Sequence, residues 1–563
     1  MKLTRNDVDF IRRELRRRGV VNEGLLGELV DHVACEVERE MKEGTPFRRA
    51  CEKILTAVAP VEFPALQDKV IQSENYNMPV MVRNTWKIML RNLRKHSSHA
   101  IINVAGLALG LTCFIVVVVY VKHELGYDTA FTKSSSLYRV TMSSTVGGTD
   151  NFIPTSYPTL GPEIQSRFPE VESFTRIFNY KYTRMIPTFR FDDRIFYEDK
   201  VIFADSNFFR LFDFPFVAGN PATALVHPNA VVLTESIARK YFGDADPLGK
   251  HLNFNGRSDV EVTGILKDLP SDTHLQFDFV IPMSNIGNSG AFRSVQVLDN
   301  WNVDWFWTYM VIPDPAAVPT VESGLNQIAA DKVKDFQQEF NVKFYIQSLR
   351  DIHLHSHFDY NTDITANGDM GNLLIFVSVG ILVLLISAIN FINITMATAS
   401  RRYREIGISK VLGALKSQLR MQFLFESVAV CLVSLVIAFF LLQLALPLFS
   451  NLMGVALKLG FLSDLPMIGG ITLFTVLVGV LSGLYPAFFV SSLEPQRVLK
   501  GVWKPGQGGA TFRKMLVGAQ IVISIFLIIG TVVIWEQLRF IQNKSLGYDQ
   551  DQIVMLPIRG TSL

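Results

Sequence analysis

Apolar and polar residues are spread unevenly along this chain, and the unevenness marks out its parts. Five charge-free apolar stretches lie at 101–121, 370–400, 427–457, 465–493 and 515–535. Each exceeds the ~20 residues that cross ~30 Å of hydrocarbon. Inside a bilayer no water bonds the backbone amides, so each stretch predicts a membrane-spanning helix. With their flanks included, the helices are expected over 100–122, 371–399, 421–448, 465–491 and 513–536. Ahead of them, residues 1–75 carry a helical period. Val8, Ile11 and Leu15, then Leu25, Leu29, Val33, Val37 and Met41, recur every three or four positions with charges between. Asn22 and Thr45-Pro46 read as helix starts.

Between the first and second spans, residues 123–370 alternate in pattern. Strand-like runs at 260–265, 277–281, 308–312 and 342–347 are mixed with helical pieces at 158–168, 236–242 and 319–336. Aromatic residues crowd 204–216, and a turn-rich segment follows at 243–249. The fold class is a membrane protein: an α-helical transmembrane bundle, an α+β extracytoplasmic domain, and a small all-α cytoplasmic N-terminal domain.

The net charge of +2 says little, but the placement of charge orients the chain. Arg83, Lys87, Arg91, Arg94 and Lys95 precede the first span, and Arg401, Arg402, Arg404, Lys410, Lys416 and Arg420 follow the second. Arg497, Lys500, Lys504, Arg513 and Lys514 separate the fourth from the fifth. The positive-inside bias therefore puts the N-terminus in the cytoplasm and 123–370 outside. Cys35 and Cys51 fall in the cytoplasmic segment, and Cys113 and Cys431 fall inside spans. The external domain must then stand on a hydrophobic core rather than on disulfides. No cleavable signal precedes it, so the first span is the signal anchor.

A recurrence appears at the end of the chain. Leu125-Gly126-Tyr127-Asp128 follows the first span, and Leu546-Gly547-Tyr548-Asp549 follows the fifth. Both spans are also preceded by basic turns. Residues 537–563 accordingly read as the start of a second external domain, cut short.

Candidate chemistry is sparse. The run Gly413-Ala414-Leu415-Lys416-Ser417 lacks the earlier glycine and the Gly-Lys pair of a phosphate loop, so ATP, if used, is bound by another chain. His353, His355 and His357 would share one face of a strand with Asp359. That row reads either as metal ligands or as an exposed strand just before the membrane. The spans hold no ionisable residue near their middle, which argues against an ion-coupled carrier. Asn390 and Asn393 are placed to bond neighbouring helices, while Gly106/Gly110 and Gly479/Gly483 have the spacing that admits close helix contact. The basic segment 401–414 is different. As a helix it gathers Ile408, Val411, Leu412 and Leu415 on one side, and glycines at 407 and 413 let a partner come close.

That segment, with 391–399 before it, Gly483-Leu484-Tyr485-Pro486-Ala487 and Ser492-Leu493-Glu494-Pro495, resembles the FtsX/MacB-like permeases of ABC transporters. The stretches 231–250 and 266–270 resemble the periplasmic core domain of that family, and 1–75 looks like the helical prefix of some members. The resemblance implies a permease subunit paired with a cytoplasmic ABC ATPase dimer, which itself binds ATP and Mg. The chain would then have no catalytic residue or cofactor of its own. A cytoplasmic coupling element at 400–420 is implied, with Arg401, Arg402, Glu405, Ile406, Gly407, Lys410, Leu412 and Gly413 against the ATPase. Membrane lipid and a periplasmic or outer-membrane protein are further expected partners; nucleic acid is not. The implied activity is export or extraction of peptides, lipids or lipoproteins, driven by force passed across the membrane. The rival readings are a regulatory complex that exports nothing and a membrane-anchored metalloenzyme using the histidine row. Two-half members of the family have eight spans, in line with the recurrence. The 427–457 stretch, ~46 Å long as one helix, would act as a lever on the external domain.

Overall fold

Three short helices build the N-terminal unit because each presents one apolar line to the others: α1 (Arg5–Arg17), α2 (Glu23–Lys42) and α3 (Phe47–Ala57). The computed structural model describes residues 3–17, 23–42, 44–57, 97–146, 148–183, 185–290, 292, 294–333, 341–359, 363–364, 367–401, 410, 415–455, 457, 464–492 and 507–545. Ile11 and Leu15 of α1 meet Leu26, Val30, Val33 and Val37 of α2 and Ala50, Cys51 and Leu55 of α3. The α2 seam keeps the expected Val33 and Val37, but in its first turns it runs through Leu26 and Val30, with Leu29 and Met41 at the half-buried margin. A spacing of three or four fits either neighbouring stripe of a helix this apolar, and tertiary contact decides between them.

The first span, α4 (Ser97–Leu125), leads through turns into one mixed sheet. Its elements in chain order are β1 (Leu137–Val146), β2 (Thr149–Ile153), α5 (Leu160–Arg167), β3 (Ser173–Asn179), β4 (Thr188–Phe191), β5 (Arg194–Tyr197) and β6 (Val201–Ala204). There follow α6 (Phe208–Leu211), β7 (Phe216–Gly219), β8 (Ala230–Thr234), α7 (Glu235–Phe242), β9 (His251–Phe254), β10 (Ser258–Leu266) and β11 (Phe279–Pro282). β12 (Phe306–Val311), α8 (Val318–Ile328), β13 (Asn341–Ser348) and α9 (Ile352–His355) complete the domain. The strand order is β13-β1-β12-β3-β6-β11-β8-β10-β9-β4-β5, with β2 on β1 and β7 on β10. Only β6/β11 and β8/β10 pair in parallel.

Central strands are buried on both faces. Val231 and Leu233 of β8 pack with Phe203, Phe279 and the α7 residues Tyr241 and Phe242 on one side. Val232 joins Val280, Trp307 and the aromatic run Phe208, Phe209, Phe212 and Phe214 on the other. Two-sided burial is why these strands read as continuous apolar runs rather than as an alternation. The piece expected as one helix over 319–336 is α8 followed by a single π turn at Ala329–Val333.

Four more helices follow: α10 (Met370–Arg401), α11 (Lys416–Met453), α12 (Leu465–Ser491) and α13 (Gln507–Asn543). With α4 they are the described helices long and apolar enough to cross a membrane. α4 packs against α10 and α11, α11 against α12, and α13 touches α10. α11 overruns the expected 421–448 at both ends. The residues 416–420, expected in the coupling element, are its first turn, because charged residues outside hydrocarbon do not interrupt a helix. Gly454, with φ +66°, ends it in the left-handed conformation that glycine takes without strain. At 38 residues α11 is about 57 Å long.

Phe203 is fully buried among Phe178, Tyr180 and Phe254, with ring centres 6.1 to 6.5 Å away. Phe203→Ala should cost about 3–5 kcal/mol, read as a lowered melting temperature of the purified chain. Burial raises the carboxyl pKa of Asp304, just before β12. Such a group binds its proton more tightly folded than unfolded, so it lowers stability once pH rises through its folded pKa. Asp304→Asn should therefore raise the melting temperature at pH 7, and the gain should vanish as pH falls through the carboxylate range.

Candidate functional site

Two junctions flank the bundle, one at each end of the spans. At the inner end, Arg401 closes α10, while Arg402, Glu405, Ile406, Gly407, Leu412 and Gly413 lie outside the described residues. Lys410 is described, and its Nζ donates to the Ser491 carbonyl at 2.7 Å. Arg420, on the first turn of α11, donates from Nε to the Ser491 Oγ at 3.0 Å and lies 4.6 Å over the Phe488 ring. Two cations therefore close the last turn of α12, where helix carbonyls lack partners and the helix dipole is negative. Burial, and then neighbouring Lys416, lower the Lys410 pKa. The segment between α10 and α11 is thus tied to α12 as well. Sequence reading did not find Arg420, Phe488 and Ser491 as a set, because they belong to different helices.

Within the bundle the small residues set the spacing. A Cβ on Gly106 would stand 3.4 Å from Asn390 Nδ2, and one on Gly110 would collide with the Ser387 side chain. Gly479 faces the Val428 Cα at 3.0 Å and Gly483 faces the Ser427 Cβ at 2.8 Å, measured from the same notional atom. The glycine pairs accordingly seat α4 on α10 and α12 on α11. Asn390 packs on Gly106, while Asn393 reaches α13 by donating to Gln520 Oε1 at 3.5 Å.

The outer junction joins α4 and α10 to the sheet. The chain leaves α4 through Glu124, Tyr127 and Asp128. Glu124 Oε2 lies 2.8 Å from His353 Nε2, both side chains 5 % exposed, and the Tyr127 ring stacks flat on the His353 ring at 3.4 Å. Asp128 adopts φ +56°, which aspartate tolerates better than most residues, and its carboxylate is fully buried. It accepts from Thr273 Oγ1 at 2.7 Å and from the His274 backbone N–H at 3.2 Å. Its other oxygen lies 2.8 Å from His274 Nδ1, and His274 Nε2 lies 2.7 Å from the Tyr309 hydroxyl. With Nδ1–H donated to the carboxylate, Nε2 is left to accept the phenol proton. Burial pushes the Tyr309 pKa far up, so that proton stays in place; Arg139 beside it works against the rise.

Arg139 stands opposite Tyr309 across the β1/β12 ladder. Its side chain is fully buried and pairs with Asp363 at 2.5 Å, while Nη2 donates to Gln347 Oε1 at 2.8 Å. Asp363 lies on the chain that runs from α9 to α10, and it also accepts from Asn367 Nδ2 at 2.7 Å and Trp307 Nε1 at 3.4 Å. The row Asp128–His274–Tyr309–Arg139–Asp363 therefore runs unbroken from the chain below α4 to the chain above α10. A third helix arrives at the same place. Tyr120, Leu354 and Leu373 form an apolar cluster to which α11 adds Phe449 and Met453, and Lys122 of α4 pairs with Asp464 ahead of α12.

The histidine row is not a strand. A 3₁₀ turn at Leu349–Asp351 runs into α9, so His353 and His355 point apart instead of sharing a face. His353 faces Glu124, whereas His355 is 52 % exposed beside Asp351 and His357 is 74 % exposed beside Asp369. Among the described residues no group of three or more His, Cys, Asp or Glu could hold a metal. The junction residues could have been suspected from two signs: an arginine at an inward position of the apolar strand Leu137–Val146, and the recurrence of Tyr-Asp after the fifth span. The second copy, 546–549, lies outside the described residues.

Comparison with known proteins places both regions. A family model of the MacB-like periplasmic core domain matches residues 100–328, and one of the FtsX-like permease C-terminal region matches 377–495. The macrolide export ATP-binding/permease protein MacB of Bdellovibrio bacteriovorus is 23% identical over 287 residues, which is 48% of this chain and 38% of that protein. The uncharacterized ABC transporter permease YknZ of Bacillus subtilis is 27% identical over 290 residues, 51% of this chain and 64% of that one. The chain thus spans less than two thirds of the length of these relatives. Among solved structures, the periplasmic region of MacB from Actinobacillus actinomycetemcomitans aligns with a TM-score of 0.27 and 17% identity, covering 38% of this chain and 90% of that one. The extracellular domain of the transporter YknZ aligns with a TM-score of 0.25 and 13% identity, covering 37% and 99%. The two family models together take in well over half of the sequence, one on the sheet and one on the spans, and the chain belongs to the FtsX/MacB-like permeases of ABC transporters.

Proposed function

We propose that this permease carries work from a cytoplasmic ABC ATPase dimer through the inner membrane to its sheet domain. The sheet domain lies in the periplasm and the N-terminus in the cytoplasm. The ATPase holds ATP and Mg; this chain holds neither. ATPase closure moves the segment 400–420, the bundle tilts, and the sheet domain changes its orientation to export or extract a peptide, lipid or lipoprotein. The observation that carries this reading is the outer junction. A sheet that merely hung from a membrane anchor would need one flexible attachment. Here two helices are joined to one sheet face by a buried row of charged and hydrogen-bonded groups, and a third packs beside it.

The inner contact is tested by replacing residues on the segment that would meet the ATPase. Glu405→Arg and Gly407→Trp should abolish co-purification with the partner ATPase and leave insertion intact. Retention of the ATPase at wild-type yield would overturn the assignment. Lys410→Ala removes one of the two cations on the α12 terminus and should weaken the same complex severalfold.

The outer junction is tested by a double-mutant cycle. Arg139→Met strands Asp363, and Asp363→Leu strands Arg139, so each alone should cost about 3–5 kcal/mol. The double variant should lose much less than the sum, because no buried charge is left unpaired. Folded but unlinked, it should keep its ATPase partner yet lose the ATP-dependent change in spin-label distance between α11 and the sheet. A double variant with an unaltered distance change would show that the row is structural only.

A further inference from the structure

The N-terminal unit has a charge pattern that the transmission of force does not use. The outward side of α1 carries Arg12, Arg13, Arg16 and Arg17, all exposed, against Asp9 as its one exposed acid. α3 adds exposed Arg48 and Arg49. The two helices meet at an aromatic rim: Phe10, 36% exposed, stands edge-on to Phe47 with ring centres 5.9 Å apart. The acids of α2 are largely spent inside the unit. Glu38 accepts the Leu3 backbone N–H at 3.0 Å, Glu40 pairs with Lys53 at 2.9 Å and Glu36 with Arg39 at 3.2 Å. Among the described residues Arg12, Arg13 and Arg17 have no carboxylate partner. The result is an arginine-rich side on α1 and α3, Arg12, Arg13, Arg17, Arg48 and Arg49, with Asp9 and Glu52 as the exposed acids of those two helices.

We infer that this face lies on anionic phospholipid headgroups of the cytoplasmic leaflet, an inference that rests on the cytoplasmic placement proposed above. Charge and location both favour that occupant. The connection from α3 to α4 brings Arg83, Lys87, Arg91, Arg94 and Lys95 to the start of the first span. The unit is therefore tethered to the one surface where clustered Lys and Arg find a standing negative potential. The contact is superficial. α1 spends its apolar line, Ile11 and Leu15, in the core of the unit, and Phe47 packs on that core, so Phe10 is the exposed large apolar residue left to reach the boundary between headgroups and acyl chains. Attraction without insertion falls with salt, because the Debye length shrinks from ~8 Å at physiological ionic strength to ~3 Å at 1 M.

The full chain, with p-benzoylphenylalanine in place of Phe10, is reconstituted in nanodiscs of phosphatidylcholine with or without 30 mole per cent phosphatidylglycerol and irradiated. Lipid adducts should form in the anionic discs and fall at least fivefold in neutral discs, in 1 M salt, and in the variant Arg12→Glu/Arg13→Glu/Arg17→Glu. These arginines lie on the surface, so the variant should fold; circular dichroism and the wild-type melting temperature check that it does. Equal yields in both kinds of disc would overturn the inference, as would adducts to protein alone when the ATPase is present. Protease access to the N-terminus in sealed spheroplasts distinguishes the two readings. Cleavage there overturns the cytoplasmic placement itself, whereas absent lipid adducts with a protected N-terminus overturn the headgroup contact only.

Discussion

The structure depends on a buried guanidinium. Arg139 sits in β1, between β12 and β13, where an apolar side chain would pack with no desolvation cost. Its charge is tolerated because Asp363, Gln347 and Ser356 accept from its two Nη atoms in fixed directions, although Nε stays buried without a partner. Such a pair contributes less to net stability than to geometry: either partner alone is strongly unfavourable, so the chain above α10 is held in one position against the sheet. Asp128, reached through His274 and Tyr309, does the same for the chain below α4. Neither helix can shift against the sheet without exposing or stranding a charge in a dry interior.

The two ends of the bundle are built differently, and the difference suits a transmission element. At the outer end the contacts are buried, multiply bonded and centred on charged pairs. At the inner end Lys410 and Arg420 hold the α12 terminus through a backbone carbonyl, a hydroxyl and an aromatic face, all of which a competing partner can replace. Between them the glycine contacts at 106, 110, 479 and 483 bring helix backbones close enough for tilt to be shared between neighbours.

How much of this the sequence disclosed follows from the range of each interaction. The spans, the N-terminal helices and the longer strands are written in local periodicity, and they were legible. The α2 seam was read correctly at Val33 and Val37 and missed at Leu26 and Val30, because neighbouring stripes of so apolar a helix differ only in what they touch. The histidines were misread because alternation was scored as a strand, whereas Ser348 and Asp351 bracket a turn that winds the segment into a helix. The outer junction was hidden for a different reason. Arg139 and Asp363 are 224 positions apart, Asp128 and His274 are 146 apart, and no local pattern relates them. Only the oddity of a charge on an inward strand position was visible, and it had no partner to explain it.

The long helix α11 bears on the proposed transmission, because it links the two junctions. It begins with Arg420 in the inner clasp and ends with Phe449 and Met453 against Tyr120 and Leu354 at the outer junction, so a single element touches both. A rigid rod would transmit every thermal tilt. Pro447 prevents that, since it cannot donate to the exposed Gln443 carbonyl and its ring crowds the preceding turn. The weakened turn lies between the buried Leu446 and the cluster around Phe449, just short of the sheet. The proposed transmission would therefore meet a point where α11 can bend before the cluster that holds Leu354, whose helix α9 carries the His353 paired with buried Glu124.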